Sequence, residues 1–197
     1  MRAFFDKLWN RLTPVTRILV VSTVGALFLR GFLLEVYRIR SDSMSPSIPK
    51  GSLVVASRAR YNVYLPMTNF SLINVGSPAR SDVVAFTLPD APGTTFVKRV
   101  VAIGGDRLEI KAGKLLINDV ALEYSEVTET GYFYESLSAS IKYTVSLDET
   151  QNYGPIDVPE GHFFALGDNR EKSVDSREWG PIPYRYLKGK ISVLWGA

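Results

Sequence analysis

A mostly β, antiparallel domain preceded by one N-terminal apolar helix is the fold class this sequence predicts, on three observations. Short β-branched and aromatic runs recur along the chain: "SLVVAS", "DVVAFTL", "TTFVKRVVAI", "RLEIKAGKLLIND", "IKYTVSL", "HFFALG" and "GKISVLW". Gly, Pro and Asp separate them, as turns between antiparallel strands require. Beyond residue 40 no segment holds a helical period for long, and the only strongly apolar stretch lies near the N-terminus. The order suits two sheets or a coiled barrel.

Residues 1–17 are basic. Arg2, Lys7, Arg11 and Arg17 face only Asp6, which makes this a cytoplasmic flank. "ILVVSTVGALFL" then runs from Ile18 to Leu29, meets Arg30 and continues as "GFLLEVY" to Tyr37. Read as one helix, 18–37 has the roughly 20 residues a bilayer core requires. Arg30 and Glu35 are tolerable near an interface, where long side chains reach water. No small-residue cleavage site follows, so the segment reads as a retained anchor rather than a removed leader. The basic flank places the N-terminus inside and residues 38–197, the β domain, outside. Within that domain, 57–80 read as an exposed excursion and about 107–160 as a smaller inserted β sub-region. Residues 119–155 extend or decorate its sheet.

Composition excludes several chemistries. The chain of 197 residues suffices for one domain and an anchor, and 46% hydrophobic with 22% charged residues is a globular balance. The net charge of +3 is concentrated ahead of the apolar stretch, and no basic block or stacking motif suggests nucleic acid. The absence of cysteine removes disulfides, thiol catalysis and cysteine-ligated metal. With His162 as the only histidine, no metal site and no cofactor are expected.

The chemistry lies in three segments. "IRSDSMSPSIPKGSLVV", Ile39 to Val55, places hydroxyls immediately after the apolar stretch. A serine is a weak nucleophile without a base in hydrogen-bond reach. His162 reads as a strand side chain at a surface or rim, so another base is needed. Lysine serves when burial lowers its pKa. Lys98, in "TTFVKRVVAI", has Phe96, Val97, Val100 and Val101 around it; on that segment alone it reads equally as a solvent-facing strand lysine. The third segment, "GDNREKSVDSREWGPIP", packs Asp168, Asn169, Arg170, Asp175, Ser176 and Arg177 between glycines and prolines. By itself it reads as a charged surface loop braced by an Asp175–Arg177 pair.

In this order behind a basic-flanked apolar helix, "SDSMSPS", "FVKRVV" and "GDNREKSVDSREWG" together resemble the bacterial type I signal peptidases (leader peptidases). "RGFLLEVYRIRS", "SDVVAF" and "GGD" add to the likeness, which runs from about Arg30 to Pro183 and leaves 57–80 and 119–155 unmatched. The resemblance implies a membrane-anchored serine endopeptidase with a Ser–Lys dyad. It removes signal peptides from exported preproteins at the outer face of the bacterial inner membrane, near the export machinery and in contact with lipid. It implies Ser43 as nucleophile, Lys98 as general base, Ser41 as an oxyanion donor, Ser173 as the partner of the lysine, and Asp175–Arg177 as a supporting ion pair. Pockets for small side chains of the Ala-X-Ala type would fall around Tyr37, Ile39, Met44, Ile48, Phe96 and Val97. Asp42, Arg40, Ser47 and Ile103-Gly104 depart from the commonest family residues and bear on substrate preference; Asp42 is expected to face solvent. Two other readings are a non-catalytic membrane-anchored β domain binding envelope or preprotein partners, and a soluble self-cleaving Ser–Lys protease of the SOS-repressor type. The latter requires a DNA-binding domain where this chain has its apolar helix.

Overall fold

The computed structural model describes residues 9, 13–64, 71–74, 76–91, 93–138 and 140–196. Helix α1 spans Pro14–Leu33. It opens on a Thr-Pro pair: the Thr13 hydroxyl accepts from Thr16 N at 3.4 Å, and Pro14 fills the first turn, where its missing N–H costs nothing. Val15, Ile18, Leu19, Val20, Val21 and Val24 are exposed along it. Among the described residues, no helix is long and apolar enough to cross a membrane.

The expected helix end at Tyr37 is corrected. Leu34–Arg38 is strand β1, paired antiparallel with β2 (Leu53–Ser57) in a register that sets Tyr37 opposite Val54. "LEVY" suits either conformation by its apolar content; the ladder to β2 decides it.

The remaining strands follow in order. They are β3 (Asn62–Tyr64), β4 (Ser71–Asn74), β5 (Val83–Phe86) and β6 (Phe96–Ile103). Next come β7 (Arg107–Lys111), β8 (Lys114–Ile117), β9 (Val120–Ala121), β10 (Glu123–Val127), β11 (Tyr132–Ser138) and β12 (Ile141–Val145). Last are β13 (Tyr153–Asp157), β14 (His162–Leu166), β15 (Ile182–Pro183) and β16 (Leu187–Trp195). A seven-stranded sheet in the order β1-β2-β16-β5-β6-β14-β15 forms the body, and every pairing in it is antiparallel. Two smaller sheets, β13-β7-β8-β9 and β10-β11-β12, come from residues 107–157, and β3-β4 is a separate hairpin.

Strand β14 is buried on both faces, which is why "HFFAL" reads as a continuous apolar run rather than an alternation. Phe164 and Leu166 pack with Val101 of β6 and with Leu108, Ile110 and Leu115 of the four-stranded sheet. Phe163 and Ala165 point the other way, against Phe86, Val100 and Leu187. A third cluster, Ile39, Met44, Ile48, Val54, Ala56, Ala85 and Ile191, lies under the segment that follows β1.

Two expectations for irregular regions are refined. The 57–80 excursion is pinned by Tyr61, which is buried and donates its hydroxyl to Asp82 Oδ2 at 2.7 Å; residues 65–70 lie outside the described residues. The polar loop contains one short helix, α2 (Ser176–Trp179), whose N-cap Asp175 accepts from Arg177 N at 3.3 Å. A single turn is too short to register as a period.

Candidate active site

The segment after β1 turns back at once. Ile39 N donates to Ser52 O at 3.0 Å and Gly51 N to Ile39 O at 2.9 Å, closing a loop over residues 39–52. Met44 and Ile48 are buried beneath it, and Ile48 N donates to Met44 O at 2.8 Å. The apolar residues between the serines thus anchor the turn and leave Ser41 and Ser43 lining an open cleft. Ser41 Oγ and Ser43 Oγ lie 3.1 Å apart. Asp42 is exposed.

Lys98 sits on β6, opposite Val84 of β5. It is 4% exposed, so the solvent-facing reading of this lysine is excluded. Its Nζ donates to Ser173 Oγ at 2.8 Å. Burial lowers its pKa from 10.5 to about 8; the Asp175 carboxylate opposes that shift, Arg177 adds to it and Asp168 opposes it. The neutral amine is therefore within reach of ordinary pH, as general-base work requires.

The polar loop is a buried scaffold rather than a solvated surface. Asp175 is fully buried and receives Arg177 Nε at 2.8 Å and Nη2 at 2.9 Å. Arg177 Nη2 also donates to Ser173 O at 3.0 Å, so the pair holds the backbone of the residue that meets Lys98. Next to Lys98 in sequence, Arg99 makes a two-pronged bond to buried Asp168, at 2.8 and 2.6 Å. Asn169 N donates to Ser43 O at 3.1 Å, tying the loop to the serine turn.

Gly167 is a residue that sequence reasoning passed over. A Cβ there would overlap Ser173 Oγ and the Ser43 carbonyl oxygen, so only glycine lets these two segments approach. The "GD" step was visible, but nothing in the sequence says what lies against it. Ser176, one member of the polar cluster in sequence, is buried, and its Oγ accepts from Ala165 N at 3.0 Å.

A cleft of about 760 Å³ joins these parts, with Ser41, Ser43 and Lys98 among its lining residues. Tyr37, Ile39, Met44, Phe96 and Val97 line it. Ile48 does not; it is buried in the core below the turn, in the cluster with Val54, Ala56 and Ile191. The cleft also takes in Arg38, Arg40, Lys172 and Val174, which sequence reading did not assign to it. His162 lies elsewhere, its Nδ1 2.9 Å from Glu160 O. Among the described residues, no group of three or more His, Cys, Asp or Glu is arranged to hold a metal.

Comparison with known proteins bears on the family of the chain. The family "Signal peptidase, peptidase S26" matches residues 12–195. Signal peptidase I of Pseudomonas fluorescens is 32% identical over 190 residues, covering 86% of this chain and 67% of that protein. Its counterpart from Pseudomonas aeruginosa is 30% identical with the same coverage. Thylakoidal processing peptidase 1 of Arabidopsis thaliana is 33% identical over 168 residues, 85% of this chain and 43% of that one. A solved signal peptidase I from Enterococcus faecalis V583 is 29% identical, covers 60% of this chain and 100% of its own, and has a TM-score of 0.41. A buried lysine facing a serine-lined cleft, on a chain matched almost end to end, makes this protein a member of the signal peptidase family, peptidase S26.

Proposed function

We propose that this chain is a serine endopeptidase that removes N-terminal signal peptides from exported preproteins, with Ser43 as nucleophile and Lys98 as general base. The observation that carries the reading is the buried amine of Lys98, held by Ser173 Oγ beside a cleft that also contains Ser43. Burying an amine in this way costs stability, and a non-catalytic binding domain gives that cost no purpose.

In the proposed reaction, neutral Lys98 takes the proton of Ser43 Oγ as that oxygen attacks the scissile carbonyl. The Ser43 backbone N–H and the Ser41 hydroxyl then receive the developing oxyanion, a contribution commonly worth about 3 kcal/mol per donor. The lysine ammonium returns its proton to the leaving amine, and water, activated by the same lysine, hydrolyses the acyl-enzyme. Ser173 and the Asp175–Arg177 pair keep the amine aimed. Tyr37, Ile39, Met44, Phe96 and Val97 make a cleft wall that suits small apolar side chains and rejects bulky ones by clash.

The proposal extends to location. Residues 1–17 are cytoplasmic, the rest of α1 lies in the bilayer, and the domain that starts at β1 lies outside it, where lipid and the export machinery are neighbours. The exposed apolar residues of α1 support this, as do Leu34, Val36, Leu53 and Trp195, which share the outward face of β1-β2-β16. Incubating the detergent-solubilised chain with an exported preprotein tests the activity. A single cut after a small residue, with the mature N-terminus identified by mass, is expected; an intact preprotein under conditions where a known signal peptidase cuts it would refute the reading.

A further inference from the structure

The three-stranded sheet β10-β11-β12 carries a buried carboxylate that the proposed chemistry does not use. Glu135, on β11, is fully buried. Its Oε1 accepts from Arg170 Nη2 at 2.7 Å and from the Tyr143 hydroxyl at 2.5 Å, and its Oε2 accepts from the Tyr124 hydroxyl at 2.5 Å. Burial, and after it the charge of Glu135, raises both phenols well above their ordinary range, so they stay donors. Arg170 is buried as well; its Nη1 is buried without a hydrogen-bond partner among the described residues. Apolar residues of similar volume commonly equal or exceed the stability of such a pair. Stability alone therefore leaves it unexplained.

Its location supplies a reason. Arg170 Nε donates to Gly167 O at 3.1 Å, and Gly167 is the residue wedged between the Ser43 carbonyl and Ser173 Oγ. Gly167 N in turn donates to Asp175 Oδ2 at 3.0 Å. The neighbouring strand β12 and the residue after it reach the other catalytic segments. Thr144 O accepts from Ser47 Oγ at 2.8 Å, the Tyr143 ring lies 4.0 Å from the Arg99 guanidinium, and Ser146 N donates to Asp168 O at 2.9 Å. One sheet thus touches the serine turn, the lysine strand and the polar loop.

We infer that Glu135, acting through Arg170, is a positioning residue: it fixes the Gly167 turn and thereby the alignment of Ser173, Lys98 and Ser43. This rests on the reading of Ser43 and Lys98 as the reacting groups. It gives residues 119–155, which carry none of the three chemical segments, a part in catalysis without contact to substrate.

Single variants such as Glu135→Gln strand a buried guanidinium and lose stability whatever the role. The test is therefore the double variant Glu135→Leu/Arg170→Met, which keeps volume and removes both charges. The Tyr124 and Tyr143 hydroxyls lose their acceptor in this variant, so the melting temperature should fall while the domain stays folded at the assay temperature; there kcat should fall about 10- to 100-fold and KM should hold. Adding Ser173→Ala should lower kcat by no more than about threefold beyond Ser173→Ala alone, because both changes act on one alignment. Unchanged kcat in the folded double variant, or losses that multiply independently with Ser173→Ala, would overturn the inference. Should the double variant fail to fold, Tyr143→Phe replaces it: a kcat loss of about threefold or more, again non-additive with Ser173→Ala, supports the role, and full activity refutes it. Ser43→Ala, run alongside, reports separately on the reading of the nucleophile; activity retained there removes the premise rather than the coupling.

Discussion

At Lys98 a buried amine on a sheet strand has a pKa lowered to about 8, with burial as the largest cause. Two predictions follow from its sign. A lysine base works only when neutral, so kcat/KM on a preprotein should rise with pH through about 8 and level off above it; a pH–rate profile checks this. The native state also holds this proton less tightly than the unfolded chain does, so folding stability should rise with pH between about 8 and 10.5. Lys98→Met, freed of the burial cost, should be inactive yet more stable at pH 7, by on the order of 1–3 kcal/mol, with the gain vanishing toward pH 10.5 in urea titrations. Two serines three positions apart should separate cleanly. Ser173→Ala should cut turnover by about 10- to 1,000-fold with little change in melting temperature. Ser176→Ala strands the buried N–H of Ala165 and should cost about 1–3 kcal/mol of stability, read from melting, with a smaller effect on kcat. Ser43, Lys98 and Ser173 were legible because each sits in a distinctive run. Gly167 and Ser176 were not, since their importance lies in what packs against them.

The strands of the main sheet were legible as elements. β-branched runs bounded by turn residues mark β2, β5, β6 and β14 whether one or both faces are buried. The end of α1 was not legible. Apolar residues continue past Leu33, and only the register with β2 assigns Leu34–Arg38 to the sheet. Nor does sequence spacing show that β6 delivers two adjacent cations to different tasks. Lys98 reaches Ser173, while Arg99 locks the polar loop through Asp168. That second pair is buried, so breaking it by half leaves an uncompensated charge. Asp168→Asn should destabilise the domain by about 3–5 kcal/mol, seen as a lower melting temperature in parallel with lost processing. A melting temperature unchanged from the parent would mean that the loop is held without this pair.

For the molecule as a whole, the proposed topology and the proposed chemistry depend on each other. A signal peptide's cleavage site emerges at the outer bilayer surface, and an anchor joined directly to β1 holds the serine turn at a fixed distance from it, raising the effective concentration of substrate. With the basic flank inside, protease added to intact spheroplasts should digest the β domain; full protection, while a known external protein is degraded, would reverse the assignment. The charge asymmetry was legible in sequence, whereas the alignment of Leu34, Val36, Leu53 and Trp195 on one outward face emerged only from the strand register. The central claim is that Ser43 and Lys98 perform the cleavage. The measurement that tests it most directly follows one preprotein with the parent chain, Ser43→Ala and Lys98→Ala, each verified as folded by circular dichroism. Cleavage after the small residue by the parent, with at least about a 1,000-fold loss in both variants, is the predicted result; processing by folded Ser43→Ala at a rate near the parent's would contradict it.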